Sequence, residues 1–336
     1  MKVCFAADVL KEPNAWGSLD QIVYHFITGR HLWDFNDPEE IENSNWIQED
    51  IQGRSGKRNL ETLQKYYTDS IYPRESRESN LHTITLIITQ QVSGESNNTL
   101  RPDDAISYLN KPAYVAVENQ SSDGAFLDAM IHAFGRSELR DAQTDGWWEY
   151  LHLGGFGEIK KRVEFIRTQT PVGPLRVFVL VDSDRCYPNH VTDTIKKVKG
   201  YCDNIGDVPY AILQKRKIEN YLPISALFRL HVPRKLKNIY QAFLSLTHEQ
   251  QAHYEMKKGF EKRKENNHAI LPDKQKELFK HVSQRILDNL CGGFGDNAWE
   301  YFKSKRNVMT EDAIRLTCTN DPNEVVRILD SIERLL

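Results

Sequence analysis

The chain lacks the features that mark several common protein classes. Its five cysteines are scattered and none forms a C-x-x-C pair, which argues against a zinc module and predicts reduced thiols. No apolar run approaches the roughly 18 residues of a transmembrane helix. The N-terminal residues also turn polar too early for a secretory signal. We therefore expect a cytoplasmic protein with no membrane partner.

Nucleotide and nucleic-acid signatures are also missing. The GRSGK segment at residues 53–57 superficially resembles a phosphate loop, but it lacks the full spacing and a suitable preceding strand. No ATPase site is therefore predicted in this chain. The sequence contains no RRM, helix-turn-helix or zinc-finger pattern, so it does not choose between DNA and RNA.

Charge is nearly balanced over the whole chain but not along it. The formal net charge is -3, and it divides into -7 for residues 1–110, 0 for residues 111–224 and +4 for residues 225–336. A mildly basic C-terminal third is compatible with a polyanionic ligand, and ordinary solvated helix faces would also produce it.

What the sequence does contain is a central block in which short apolar runs alternate with amphipathic stretches. Such alternation predicts an α/β fold with a parallel sheet flanked by helices. A mixed N-terminal region precedes this block, and a mainly helical region follows it. In the N-terminal region, the run HTITLIITQQV predicts an edge or hairpin strand, and residues 93–104 predict a loop or linker. The central strands are predicted at 114–117, 147–153, 177–181 and 208–213, and the helices at 123–134, 158–168 and 191–202.

Carboxylates follow three of the predicted strands. Asp182 and Asp184 end the apolar run RVFVLVDSDR, Glu118 follows the first strand, and Glu219 lies a few residues beyond the fourth. In a parallel sheet these groups would meet at one edge, where like charges repel unless a cation neutralises them. The arrangement therefore predicts one or two Mg²⁺ or Mn²⁺ ions with oxygen ligands, as used in phosphodiester chemistry.

Each acidic residue also has a purely structural interpretation. Asp182 and Asp184 could bond neighbouring amides in a strand-end turn. Glu118 could cap a helix or form a surface salt bridge, and Glu219 could pair with Lys215 or Arg216. The glycines at 154–157, next to His152, favour a strand-to-helix turn over a phosphate contact.

The segments AYVAVENQSSDGAFL, VFVLVDSD and KRKIENYL, taken in order, resemble the three signatures of the Toprim catalytic fold. The similarity covers residues 111–222 and is closest to OLD-type nucleases and standalone Toprim proteins of prokaryotic defence. It implies a metal-binding Asp182 and Asp184, a Glu118 that binds metal or acts as acid or base, and Glu219 in a second metal site. Asn119 replaces the usual glycine, and the second acid comes one residue late, so Asp123 could bind metal or cap its helix instead.

Phosphoryl chemistry also calls for a positive group, because charge gathers on the scissile phosphate in the transition state. Lys257 and Lys258 are the main candidates, with Lys215, Arg216 and Lys217 as competitors.

The sequence thus predicts a metal-dependent endonuclease acting on DNA or RNA. The resemblance implies a phage-defence effector controlled by an ATPase or sensor protein in trans. A topoisomerase or primase is disfavoured, and the alternative is a Toprim-like interaction subunit with weak or no catalysis. We divide the chain into an accessory, partner-docking region (1–110), a Toprim-like core (111–224) and a helical region contributing to nucleic-acid binding (225–336).

Overall fold

The computed structural model describes residues 1–34, 38–51, 85–92, 97–205, 208–228 and 234–336. The GRSGK segment at 53–57 lies outside these ranges. Two parallel sheets organise the described chain, one in the N-terminal third and one in the central block.

The N-terminal sheet contains four parallel strands in the order β2–β1–β3–β4. Helices α2 and α5 pack together beside it and share its buried core, in which the rings of Phe5, Phe26 and Trp33 are in contact. The strands are β1 (Lys2–Phe5), β2 (Leu32–Trp33), β3 (Thr85–Ile88) and β4 (Thr99–Leu100), and the helices are α1 (Ala7–Lys11), α2 (Pro13–Ile27), α3 (Pro38–Glu42), α4 (Asn45–Ile51) and α5 (Pro102–Leu109).

Two predictions for this region were wrong. Strand β3 lies inside the sheet, parallel to both neighbours, and is neither an edge strand nor half of a hairpin. Its alternating pattern arises because Leu86 and Ile88 are buried while Ile87 is exposed. Residues 93–96 of the predicted linker lie outside the described ranges, and residues 99–104 contain strand β4 and the start of α5, whose Pro102 occupies the first turn, where a missing N–H costs nothing.

The central sheet confirms the predicted α/β class. Strands β5 (Ala113–Val117), β6 (Trp148–His152), β7 (Val177–Val181) and β8 (Tyr210–Ile212) are all parallel, in the order β6–β5–β7–β8. The chain moves from β5 outward to β6 and then returns to β7 on the other side. The crevice between the carboxyl ends of β5 and β7 is therefore a topological switch point, where open α/β sheets bind ligands.

Helices cover both faces of this sheet, which explains the unbroken apolar run in β7. Val177, Val179 and Val181 join a core with helices α8 and α9, whereas Phe178 and Leu180 join the core on the opposite face. The glycines at 154–157 form the predicted strand-to-helix turn. The helices are α6 (Gln120–Ala133), α7 (Ser137–Thr144), which was not predicted, α8 (Ile159–Gln169) and α9 (Asp193–Ile205).

The C-terminal region is mainly helical, as predicted, and one buried apolar cluster joins it to the central sheet. Val115 and Leu180 of the sheet belong to the same cluster as Phe302 and Ile328. The cluster contains residues on both sides of residue 224, the predicted boundary between the Toprim-like core and the helical region. That boundary remains a prediction. The elements are α10 (Ile224–Leu227), α11 (Arg234–Leu244), α12 (His248–His253), β9 (Glu261–Lys262), β10 (Ala269–Ile270), α13 (Lys276–Phe279), α14 (Gln284–Asn289), α15 (Tyr301–Ser304), α16 (Glu311–Thr317) and α17 (Glu324–Glu333).

All five cysteines are free thiols, as the sequence predicts. Among the helices that the structure describes, none combines the length and apolar composition that a bilayer crossing requires.

Candidate functional site

The turn after β7 is held firmly by the segment that follows β8. The Asp182 carboxylate accepts a hydrogen bond from the amide of Ile218 in that segment, whereas in a simple strand-end turn it would accept one from a neighbouring amide. The hydrogen bonds that join the two segments include Ile218 N–H to Asp182 Oδ1 (2.9 Å), Ser183 Oγ to the Lys215 carbonyl (2.6 Å) and Asp184 N–H to the Arg216 carbonyl (2.9 Å).

Asp184 adopts a left-handed backbone conformation with φ of 54°. For a residue other than glycine this costs on the order of 1–3 kcal/mol and persists only where its surroundings enforce it. Here the enforcement comes from the bond to Arg216 and from Thr194, whose hydroxyl lies 3.5 Å from Asp184 Oδ2.

At the end of β5, the helix cap is Asn119 and neither Glu118 nor Asp123. The Asn119 side chain accepts from the N–H groups of Ser121 (2.9 Å) and Ser122 (3.4 Å), and α6 begins at Gln120. Asp123 reaches back one turn, where its Oδ2 accepts from the Asn119 N–H at 2.9 Å. The predicted capping role of Asp123 was therefore wrong, because the helix begins three residues earlier than expected.

Glu219 lies in a short 3₁₀ turn, Ile218–Tyr221, and is fully buried. The ring of Tyr221 packs on Phe126 of α6, with centroids 5.3 Å apart, and so fixes this turn against the helix that follows Glu118. Neither carboxylate oxygen of Glu219 has a well-formed hydrogen bond. Its ion-pair partner is Lys257, at 3.0 Å, and not Lys215 or Arg216 as the sequence suggested.

The structure brings the predicted carboxylates close enough to perturb one another. Burial, reinforced by repulsion from Asp123 and Asp184, raises the pKa of Glu118 despite attraction from Lys217 and Lys257. A raised carboxyl pKa means that the ionised form is disfavoured at this place. Glu118 therefore holds its proton more tightly than an exposed glutamate would.

The strongest perturbation falls on Asp182. Burial, followed by repulsion from Asp123 and Glu219, raises the pKa of Asp182 well above its ordinary value. Burial also raises the pKa of Asp123, although hydrogen bonds from Asn119 and Ser122 oppose the change. Perturbed groups of this kind, gathered in one crevice, are typical of functional sites.

Of the two main candidate lysines, Lys257 belongs to this group of charges and Lys258 is exposed. Burial opposes the charged form of Lys257, but attraction from Glu219, Asp182 and Glu255 outweighs it and raises the pKa of Lys257. Lys257 thus remains an ammonium group at neutral pH, directed at the most buried carboxylate of the site.

Two glycines hold the Lys257 segment in place. Gly259 and Gly293 both have positive φ, and a Cβ on Gly293 would lie 2.4 Å from the Lys257 carbonyl oxygen. The Gly295 N–H also donates to that oxygen at 3.0 Å. The close backbone approach therefore depends on residues without side chains.

Two basic residues, Lys217 and Arg216, lie beside the acidic turn and share the carboxylate of Glu255. The sequence did not identify Glu255 as part of the site. Lys217 Nζ lies 3.8 Å from Asp184 Oδ1 and 3.6 Å from Glu255 Oε2, and Arg216 pairs with Glu255 at 3.0 Å. The only available sequence signal was the proximity of Glu255 to Lys257. Glu255 holds both basic side chains beside Asp184.

Lys215, another competitor, faces the core. Burial lowers the pKa of Lys215 to about 8, even though Cys318 and Glu324 favour its charged form. Its Nζ donates to the Asn220 carbonyl at 2.8 Å and lies 4.5 Å from the centre of the Tyr221 ring. These contacts give Lys215 a structural role beneath the site.

Comparisons with protein-family models, with curated proteins and with solved structures found no match. The Toprim resemblance therefore remains a hypothesis that rests on the three sequence segments.

The donor chemistry of the site fits a hard divalent cation. Glu118, Asp182 and Asp184 supply carboxylate oxygens, and the buried oxygens of Glu219 lack hydrogen bonds. As the side chains are placed, no three His, Cys, Asp or Glu residues in the described ranges form a group that could hold a metal ion. Lys257 contacts Glu219 and Lys217 contacts Asp184, so these two ammonium groups offset part of the negative charge of the site.

Proposed function

We propose that this protein is a metal-dependent nuclease that hydrolyses phosphodiester bonds of DNA or RNA. One observation carries the proposal: five carboxylates from three chain segments influence one another at the switch point of a parallel sheet, beside two lysines. The residues proposed to hold Mg²⁺ or Mn²⁺ are Glu118, Asp123, Asp182, Asp184 and Glu219.

A divalent cation, when bound there, would stabilise negative charge on the phosphate and favour ionisation of the attacking water. The protein's own groups would divide the remaining work. Glu118, whose pKa is raised by burial and by the neighbouring carboxylates, would accept and return a proton. Lys257 would stabilise charge on the phosphate, because its ammonium group is already fixed at this edge.

Control of such an enzyme is a separate part of the proposal. A constitutively active nuclease would damage its own cell, and the resembling family often pairs this fold with an ATPase. We therefore propose a cytoplasmic defence effector that an ATPase or sensor partner activates in trans. The N-terminal α/β unit is the proposed docking region for that partner.

The second candidate is a non-catalytic interaction subunit of the same kind of complex. It is favoured by the lysine contacts, because Lys257 pairs with Glu219 and Lys217 pairs with Asp184. In that case the carboxylates would serve a structural purpose, and added Mg²⁺ or Mn²⁺ would have no effect.

The test is cleavage of matched DNA and RNA substrates, including transfer RNA, by purified protein with Mg²⁺ or Mn²⁺. Asp182→Ala should lower the rate at least about 100-fold, as loss of a central electrostatic group does in other enzymes. The matched control is Asp193→Ala, which removes a carboxylate that is 88% exposed at the start of α9. Equal activity of Asp182→Ala and wild type would refute the site assignment. Cleavage seen only after an ATPase is added would identify a partner-controlled enzyme.

A further inference from the structure

An exposed aromatic pair lies directly beyond the acidic turn. Tyr187, three residues after Asp184, stacks on His190 with ring centroids 4.8 Å apart and an interplanar angle of 23°. His190 covers part of the tyrosine ring, and Tyr187 nevertheless remains 39% exposed. An aromatic ring held in place with accessible surface is a stacking platform for another flat group.

The loop that carries this pair is held by bonds that connect it to the site. The Cys186 N–H donates to His190 Nδ1 at 3.3 Å, and the His190 N–H donates to the Tyr187 carbonyl at 3.2 Å. Arg216 bridges the two places, because it donates to Cys186 Sγ at 3.6 Å and pairs with Glu255 at 3.0 Å. The aromatic pair therefore has a defined position next to the carboxylates.

Basic side chains lie near the same loop. Burial and the charges of Lys274, Arg185 and Arg216 lower the pKa of His190, Asp193 opposes this change, and Lys274 is exposed to solvent. A stacking surface combined with cations is how proteins bind single-stranded nucleic acid, in which the base faces are uncovered and the backbone is anionic. In a duplex, neighbouring base pairs cover those faces, so the same platform would gain little from it.

We infer that Tyr187, supported by His190, stacks on an unpaired base next to the cleaved phosphate and so selects single-stranded DNA or RNA. This inference rests on the proposed nuclease function, and it adds the class of substrate.

The test measures binding separately from cleavage. Full-length protein in EDTA, where metal-dependent cleavage stops, is titrated into single-stranded DNA and RNA oligonucleotides carrying 2-aminopurine, and into the matching duplexes. Anisotropy gives the dissociation constant, and quenching of 2-aminopurine reports stacking. Tyr187→Ala should weaken single-strand binding by about 5- to 150-fold and abolish the quenching.

Two variants act as controls. Tyr187→Phe keeps the ring and should retain both the affinity and the quenching. Tyr24→Ala removes a tyrosine that is 62% exposed on helix α2 of the N-terminal unit, and it should bind as wild type does. Circular dichroism of each variant verifies the fold.

The outcomes distinguish this inference from the function on which it rests. The platform would be overturned if Tyr187→Ala bound single strands with wild-type affinity, or if it lost as much affinity for duplexes as for single strands. It would also be overturned if the wild-type protein did not bind single strands. Metal-dependent cleavage that Tyr187→Ala leaves unchanged would keep the nuclease and remove the platform. Tyr187-dependent binding without cleavage, under any metal and with or without an added ATPase, would keep the platform and refute the nuclease.

Discussion

Replacing Lys257 with methionine should expose the electrostatic cost of the buried carboxylate. Lys257 Nζ lies 3.0 Å from Glu219 Oε1, and Glu219 is fully buried while the lysine side chain is 27% exposed. At an effective dielectric constant of about 20, the attraction at this distance is about 5 kcal/mol before desolvation is counted. Methionine keeps an unbranched side chain of similar shape, one atom shorter, and removes the ammonium group with its charge and its N–H donors.

The expected loss of unfolding free energy is about 2–4 kcal/mol. Breaking a buried ion pair costs about 3–5 kcal/mol, and water that reaches the partly exposed Lys257 position would reduce that cost. Glu219→Gln should cost less, because the lysine left behind can be hydrated whereas the glutamate cannot. The double variant should recover at least half of the loss caused by Lys257→Met.

Urea denaturation in EDTA, followed by tryptophan fluorescence, measures all four proteins under one set of conditions. The prediction would be refuted if Lys257→Met lowered the free energy of unfolding by less than about 0.5 kcal/mol. It would also be refuted if the loss in the double variant equalled the sum of the losses in the single variants.

Two further predictions concern protonation and backbone geometry. In EDTA, burial raises the pKa values of Glu118, Asp123 and Asp182, and repulsion between carboxylates adds to the effect at Glu118 and Asp182, so the folded chain binds protons more tightly than the unfolded chain. Their contribution to stability is therefore full below the unfolded carboxyl pKa of about 4 and is lost as the pH rises through the folded values. The stability advantage of Asp182→Asn over wild type should grow as the pH rises above the unfolded carboxyl pKa of about 4, measured by urea unfolding, and a constant difference would contradict the assigned charges. Gly293→Ala should destabilise the protein by about 2–4 kcal/mol through its positive φ and the contact with the Lys257 carbonyl, whereas Gly17→Ala in open space on helix α2 should stabilise it by about 0.5–1 kcal/mol. Thermal unfolding of both variants checks this prediction, and similar melting temperatures would count against it.

The central sheet could be predicted because its strands carry their own signal. Strand β7 is buried on both faces, so all five of its residues are apolar, and the pattern persists without knowledge of its neighbours. The N-terminal sheet had no comparable signal. Its strand β2 has two residues and its strand β4 another two, which is too short for any periodicity to appear.

At the site, the sequence correctly placed the carboxylates at one edge but not their partners. Strand order and parallel direction bring Glu118 and Asp182 together, and both could be expected from the α/β pattern. The ion-pair partner of Glu219 could not be predicted from that pattern. Lys257 approaches it only because the C-terminal helices share a core with the sheet, and nothing local in the sequence distinguishes Lys257 from Lys258.

The sequence by itself determined that three strands of the central block end in acidic residues at a common edge, because strand identity and alternation are local properties. The tertiary structure decided which charges face one another there. It placed Lys257 against Glu219 and Lys217 against Asp184. These outcomes depend on the packing of segments that are distant in the chain, and burial and charge proximity exist only after that packing is complete.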